Sequence, residues 1–233
     1  MSEKLDIIVQ VVSAASQVPG VRIKRDDFLR SEFGAPKYSH LKQEILKKGP
    51  VAAGISKADV AAHAKAVIDF EAAKATTLSA AAGLPGGAAV IAAVPADLAQ
   101  FYAHVLRVIQ KLMYLYGWED FGGMDEGTKN ILFICLGIMS GVHAAENAMT
   151  KLCASTAAKM SKTIAAKALT KTTLYPVVKQ ICTQLGVRMT KEVFAKSVSK
   201  LVPVLGAVAS GALTLATFKP MCNKLLNSLS KQV

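Results

Sequence analysis

Apolar residues recur at helical spacing along most of the chain. Ser56 opens an S-x-x-D pattern with Asp59, and Val60, Ala64, Val67 and Ile68 follow on one arc in a pattern that holds as far as Gly83. A serine that can accept a backbone N–H three residues on, just before an apolar stripe, predicts a helix with a capping-box-like start. The next stripe is Leu98, Phe101, Tyr102, Val105, Ile109, Leu112 and Tyr116, opened by Pro95 and closed by Gly117. Proline suits a first turn, where its missing N–H would have no acceptor, and glycine suits the residue after the last turn. The glycines and acids of "GWEDFGGMDEGT" predict a loop, after which Thr128 is placed to cap a helix through "KNILFICLGIMSGVHAAENAMTKL". Cys153, Ala157, Met160, Ile164 and Ala168 then form an apolar stripe, with Lys151, Lys159, Lys162, Lys167 and Lys171 over the remaining arc. That pattern predicts a basic amphipathic helix. Pro176, Gly186 and Thr190 punctuate two more helices on the way to Pro203. No segment alternates with the period of a strand for long. The expected fold is all-α, a multi-helix bundle, with residues 1–55 as an N-terminal helical segment and 56–233 as one continuous helical domain.

Three runs carry no Asp, Glu, Lys or Arg: residues 75–96 (22 residues), 130–145 (16) and 201–218 (18). A bilayer-spanning helix needs about 20 predominantly apolar residues, so these lengths are borderline. The first run is interrupted by "GLPGG", and Gly83, Pro85, Gly86 and Gly87 would break or bend a helix there. A helical hairpin, or two helices meeting at a tight turn, is expected in place of a single span. Gly137 and Gly141 in "GIMSG", and Gly206 and Gly211 in "GAVASG", are likewise expected at helix breaks or close helix contacts. Such small residues serve membrane helices and dense soluble cores alike.

Composition removes disorder from consideration for most of the chain: 52% of the residues are hydrophobic, 19% are charged and the mean hydropathy is +0.35. The net charge of +12 changes the picture more, because it is segregated. Residues 1–150 hold 15 basic and 15 acidic residues, whereas residues 151–233 hold 13 basic residues and a single acid, Glu192. A segregated basic region points to an anionic partner. Its candidate contact residues are Lys151, Lys159, Lys162, Lys167, Lys171, Lys179, Lys191, Lys196 and Lys200. Nucleic acid fits this region poorly, because base stacking has only Tyr175, Phe194 and Phe218 to use and Arg188 is the region's one arginine. Anionic membrane lipid is therefore the expected partner, with a membrane protein and a second copy of the chain as further options. The first 20 residues lack the basic end and continuous apolar stretch of a secretory signal. Cys135, Cys153, Cys182 and Cys222 form no C-x-x-C pair and read as buried thiols. The cytoplasm, or the cytoplasmic face of the inner membrane, is the expected location.

Catalytic chemistry finds little to stand on. His40, His63, His104 and His143 lie on separate predicted elements, and only His143 has a carboxylate at helical spacing, Glu146. Di-iron bundles use the reverse order, Glu-x-x-His, twice over. Glu119, Asp120, Asp125 and Glu126 lack the positions of a calcium loop and read as a solvated turn. "DFG" at Asp120–Gly122 has none of the kinase loops around it, and neither G-x-S-x-G nor a phosphate-binding G-x-x-x-x-G-K-[ST] occurs. Asp97 and Arg107 are ten residues apart on one helix, so each is expected to pair across helices if it lies near the core. No metal, cofactor or enzymatic activity is expected.

The segment "AGLPGGAAVIAAVPADLAQFYAHVLRVIQKLMYLYGW", with its Gly-Pro break, "PADL", Arg107 and "YGW" end, resembles the central signature of EcsC-family bacterial proteins. "KLVPVLGAVASGALTLATF" is similar to the glycine-rich segment near their C-terminus. The resemblance covers roughly Ser56 to Phe218. It implies a mostly helical bacterial protein of a family named after a gene beside an ABC transporter involved in secretion and competence, and it brings no established activity. Together these readings lead to the expectation of a non-catalytic protein, peripheral or hairpin-inserted, that binds anionic lipid. The alternative is a soluble helical interaction module whose apolar segments are its core.

Overall fold

A computed structural model describes residues 2–82, 96–123, 125–155, 180, 183 and 203–232, and every regular element in them is helical. In chain order these are α1 (Ser2–Ser16), α2 (Arg25–Glu32), a 3-10 turn (Pro36–Leu41), α3 (Lys42–Lys48), α4 (Lys57–Ala82), α5 (Ala96–Leu115), α6 (Glu126–Met139), α7 (His143–Ser155) and α8 (Pro203–Ser230). The protein is an all-α bundle, as the periodicity predicts.

Helix α5 is the centre. From Val105 to Leu115, all residues but Arg107 are buried, because α1, α2, α4, α6 and α8 all pack on it. A helix buried nearly all round loses its polar face, and the polar residues it keeps must find partners inside the protein. Val11, Val12 and Ala15 of α1 and Leu29 of α2 belong to the same continuous core as α5. Phe101 of α5 meets Phe218 of α8 edge to face, with ring centroids 5.7 Å apart.

The start of α4 follows the sequence. The Ser56 hydroxyl accepts from the Asp59 N–H at 3.0 Å and donates to the Asp59 carboxylate at 2.8 Å. Val60, Ala64, Val67 and Ile68 are buried, and α5 ends just before Gly117, whose φ is +90°. Helices α4 and α5 pack against each other, as a hairpin requires. The segment expected to break between them, with Gly83, Pro85, Gly86 and Gly87, lies outside the described residues.

The region after α5 differs from expectation in three respects. First, Asp125, not Thr128, caps α6: its backbone is extended and its carboxylate accepts from the Thr128 N–H at 2.8 Å. Aspartate adds a negative charge where the helix dipole is positive, so the earlier of the two capping residues prevails and Thr128 falls inside the first turn. Asp125→Ala should cost about 1 kcal/mol of stability in a denaturant titration. Second, the single helix expected from Lys129 to Leu152 is two. The Val142 N–H donates to the Gly137 carbonyl at 2.8 Å and the Gly141 N–H to that of Ile138 at 2.9 Å, with Gly141 at φ +72°. This is a Schellman ending, which a left-handed glycine makes possible. Gly141 is thus a break, and Gly137 supplies an acceptor for it. Third, Asp120 has a structural task. Its Oδ2 accepts from the Arg25 N–H at 2.8 Å and its Oδ1 from the Gly122 N–H at 2.6 Å. It thereby caps α2 from 95 residues away, where Lys24 at the N-cap position offers no side-chain acceptor.

Two of the uncharged runs can be placed. Residues 131–139 of α6 are protein interior, buried against α5, α7 and α8. The run 201–218 enters α8, whose interior holds Gly206 and Gly211, and the helix continues to Ser230 through Lys219 and Pro220. Pro220 leaves the Ala216 carbonyl without its i+4 donor, but both residues are exposed, so water can satisfy it. Among the described residues no helix is long and apolar enough to cross a membrane.

Candidate functional site

The chemistry expected from local spacing is not where the structure concentrates polar groups. His143 and Glu146 are both exposed in the first turn of α7. Among the described residues no three His, Cys, Asp or Glu side chains are grouped to hold a metal ion. Two of the other three histidines, His63 and His104, find carboxylates across helices. His63 Nδ1 lies 2.7 Å from Glu32, with its Nε2 3.2 Å from the Tyr38 hydroxyl, and His104 Nδ1 lies 2.7 Å from Glu71. Cys135, Cys153 and Cys222 are buried thiols, and burial pushes the Cys153 thiol up to about 11. They remain protonated and unreactive at neutral pH.

Glu71 is the centre of the densest polar cluster. It occupies the apolar stripe of α4, between Val67 and Ile68 on one side and Ala72 and Ala75 on the other, and its side chain is 0% exposed. The facing stripe of α5 carries His104, Arg107 and Lys111 at i, i+3 and i+7, a single helix face. Lys111 Nζ donates to Glu71 Oε1 at 2.6 Å, and Arg107 Nε reaches both carboxylate oxygens at 3.0 and 3.1 Å. Burial alone would raise the carboxyl pKa. The hydrogen bonds from His104 and Lys111, with the charges of Lys111 and Arg107, outweigh it and hold the group down at about 2. Because Glu71 is ionised and can only accept, His104 donates to it from Nδ1.

The same face of α5 holds the connection between α1 and α2. Arg107 Nη1 donates to the Gly20 carbonyl. Gln110 Nε2 donates to Val21 O at 2.9 Å while its Oε1 accepts from Ile23 N at 3.0 Å, and the Tyr114 hydroxyl donates to Ile23 O at 3.1 Å. These side chains satisfy backbone groups of a segment that has no helix partners of its own. Beside this segment a cavity of about 410 Å³ opens between the α1–α2 connection, α4 and α5. Lys74, Gln100, His104 and Arg107 line its polar side, and Val18 and Val21 its apolar side.

Of the lysines expected on a lipid-binding face, Lys151 is exposed on α7, and Lys159, Lys162, Lys167, Lys171, Lys179, Lys191, Lys196 and Lys200 lie outside the described residues. Farther along, Lys224 and Lys231 are exposed, while Lys219 pairs with Asp69 of α4 at 2.5 Å. The cross-helix partner of Arg107 is Glu71. Sequence reasoning passed over the cluster although two signals were present: a glutamate in phase with the apolar residues of α4, and three basic or imidazole side chains in phase on α5. Comparisons with protein-family models, with curated proteins and with solved structures gave no match, so the EcsC resemblance rests on the motifs quoted above.

Proposed function

We propose that this is a peripheral membrane protein of EcsC type, without catalytic activity, that binds anionic lipid on the cytoplasmic face of the membrane through its basic C-terminal third. The observation that carries the reading is charge segregation: 13 basic residues against one acid in residues 151–233, in a chain whose first 150 residues balance. Each lysine near an anionic surface contributes up to about 1 kcal/mol, so even a partial alignment of such residues would hold the protein to a bilayer. Two details support it. Phe70 of α4 and Leu215 of α8 are exposed large apolar residues, and Lys74 lies one turn on from Phe70. Apolar side chains interleaved with lysines suit a headgroup layer. The absence of a spanning helix among the described residues agrees with binding from one side.

The expected result is sedimentation with vesicles containing phosphatidylserine, little with phosphatidylcholine alone, and release as salt rises. Equal recovery in the supernatant with both vesicle types would remove the reading. A second reading, a helical interaction module for a membrane protein or for a second copy of the chain, is favoured by the burial of residues 131–139 inside the chain's own core. In fractionated host lysate, recovery without any membrane pelleting would select it.

A further inference from the structure

We propose that the cavity between the α1–α2 connection, α4 and α5 is a binding site for a phosphomonoester, with the phosphate against Lys74, His104 and Arg107 and the organic part against Val18 and Val21. The inference does not depend on membrane binding. It starts from charge. Glu71 is one negative charge facing Arg107 and Lys111, and Lys74 adds a third cation at the cavity wall, so the surplus is two positive charges. No acid is among the described residues that line the cavity. A phosphomonoester carries a charge of about −1.5 to −2 at neutral pH, which matches that surplus where a carboxylate would leave half of it.

Hydrogen-bonding capacity points the same way. Both oxygens of Glu71 are occupied, Oε1 by Lys111 and Arg107 and Oε2 by His104 and Arg107, so the carboxylate has little left to offer the cavity. The His104 and Arg107 side chains both line the cavity, and the Arg107 side chain keeps about a fifth of its surface exposed. A guanidinium edge that opens into the cavity can turn its remaining N–H groups to phosphate oxygens in charge-assisted hydrogen bonds. The guanidinium is also held in place in advance, by Glu71 on one side and the Gly20 carbonyl on the other. A donor already fixed loses little freedom when the ligand arrives. Finally, a cavity of about 410 Å³ exceeds what a bare phosphate ion fills, and its apolar wall gives an organic substituent a place.

The test is calorimetric titration of the full-length protein with inorganic phosphate and with glycerol 3-phosphate, at constant ionic strength set by chloride. Saturable binding is expected for both probes. Lys74→Glu should weaken it about tenfold or more, the loss of a charge-assisted contact. Lys65→Glu, the same charge change at an exposed position of α4 away from the cavity, should change it less than about twofold. Both variants should keep the wild-type melting temperature. No saturable binding, or equal weakening by the two variants, would overturn the proposal. The source of the phosphate is then read by competition. If saturating inorganic phosphate displaces the wild-type protein, but not Lys74→Glu, from vesicles containing phosphatidic acid, the site takes a lipid headgroup; if vesicle binding is unaffected while the titration saturates, it takes a soluble phosphomonoester.

Discussion

Glu71→Gln should destabilise the protein by about 3–5 kcal/mol, the cost of removing one partner from a buried ion pair. Glutamine fills the same volume, so the loss is not a cavity effect. It keeps one acceptor oxygen, loses the charge, and turns an amide donor towards Arg107, His104 and Lys111, which are themselves donors. The measurement is the midpoint of a denaturant titration at unchanged slope. A variant within about 1 kcal/mol of the wild type would mean that water already screens the cluster. The pH dependence follows with a definite sign. A carboxyl held at about 2 when folded, against 4.5 ordinarily, contributes stability that is fully present above pH 4.5 and is lost as pH falls from there towards 2. The contribution is on the order of 3 kcal/mol. The stability difference between wild type and Glu71→Gln should therefore shrink across that interval and be constant above it.

Gly49→Ala is expected to cost about 2–5 kcal/mol, from backbone strain and overpacking together. Gly49 ends α3 with φ +87° and ψ 163°, a region of backbone space reserved for glycine, and a Cβ built there would lie 2.6 Å from the Gly117 Cα just past the end of α5. Gly117 is itself at φ +90°, so neither backbone can retreat without losing its own turn. Gly54→Ala separates the two contributions. Gly54 has φ +97° but open space around the Cβ position, so it should cost only the strain, about 1–3 kcal/mol. Equal losses in the two variants would show that the α3–α4 loop can lift away from the end of α5.

Together these substitutions test what keeps the α1–α2 and α3–α4 connections on α5. The first is held by side chains that α5 retains on its polar face, and the second by direct backbone contact at its end. A buried ion cluster contributes less through net stability than through orientation, because its desolvation offsets most of the attraction. In this protein it favours the observed register of α4 on α5, in which Glu71 faces His104, Arg107 and Lys111 together.

What the chain's local pattern determined, it determined through interactions that are themselves local. Val60, Ala64, Val67 and Ile68, and Phe101 to Tyr116, were legible as helix faces because a 3.6-residue period needs no neighbour to be seen. Ser56 and Gly117 were legible as ends because a cap acts within one turn. The choice of Asp125 over Thr128, and the break at Gly141, lay at the edge of legibility: both motifs are written in the residues, but two caps three residues apart, or a G-x-x-x-G that also fits a Schellman ending, can be read two ways. The rest was decided by tertiary structure. His143 and Glu146 are neighbours in sequence yet both stay exposed, while Glu71 meets His104, Arg107 and Lys111 at separations of 33 to 40 residues. The phase of each residue on its own helix could be read from the sequence. Which faces α4 and α5 would turn towards each other could not, because that depends on α1, α2, α6 and α8 occupying the other sides of α5. The uncharged run of α6 had the same ambiguity, span or core, and packing resolved it: with α5, α7 and α8 against it, the run is protein interior, since apolar surface is removed from water by whichever partner reaches it.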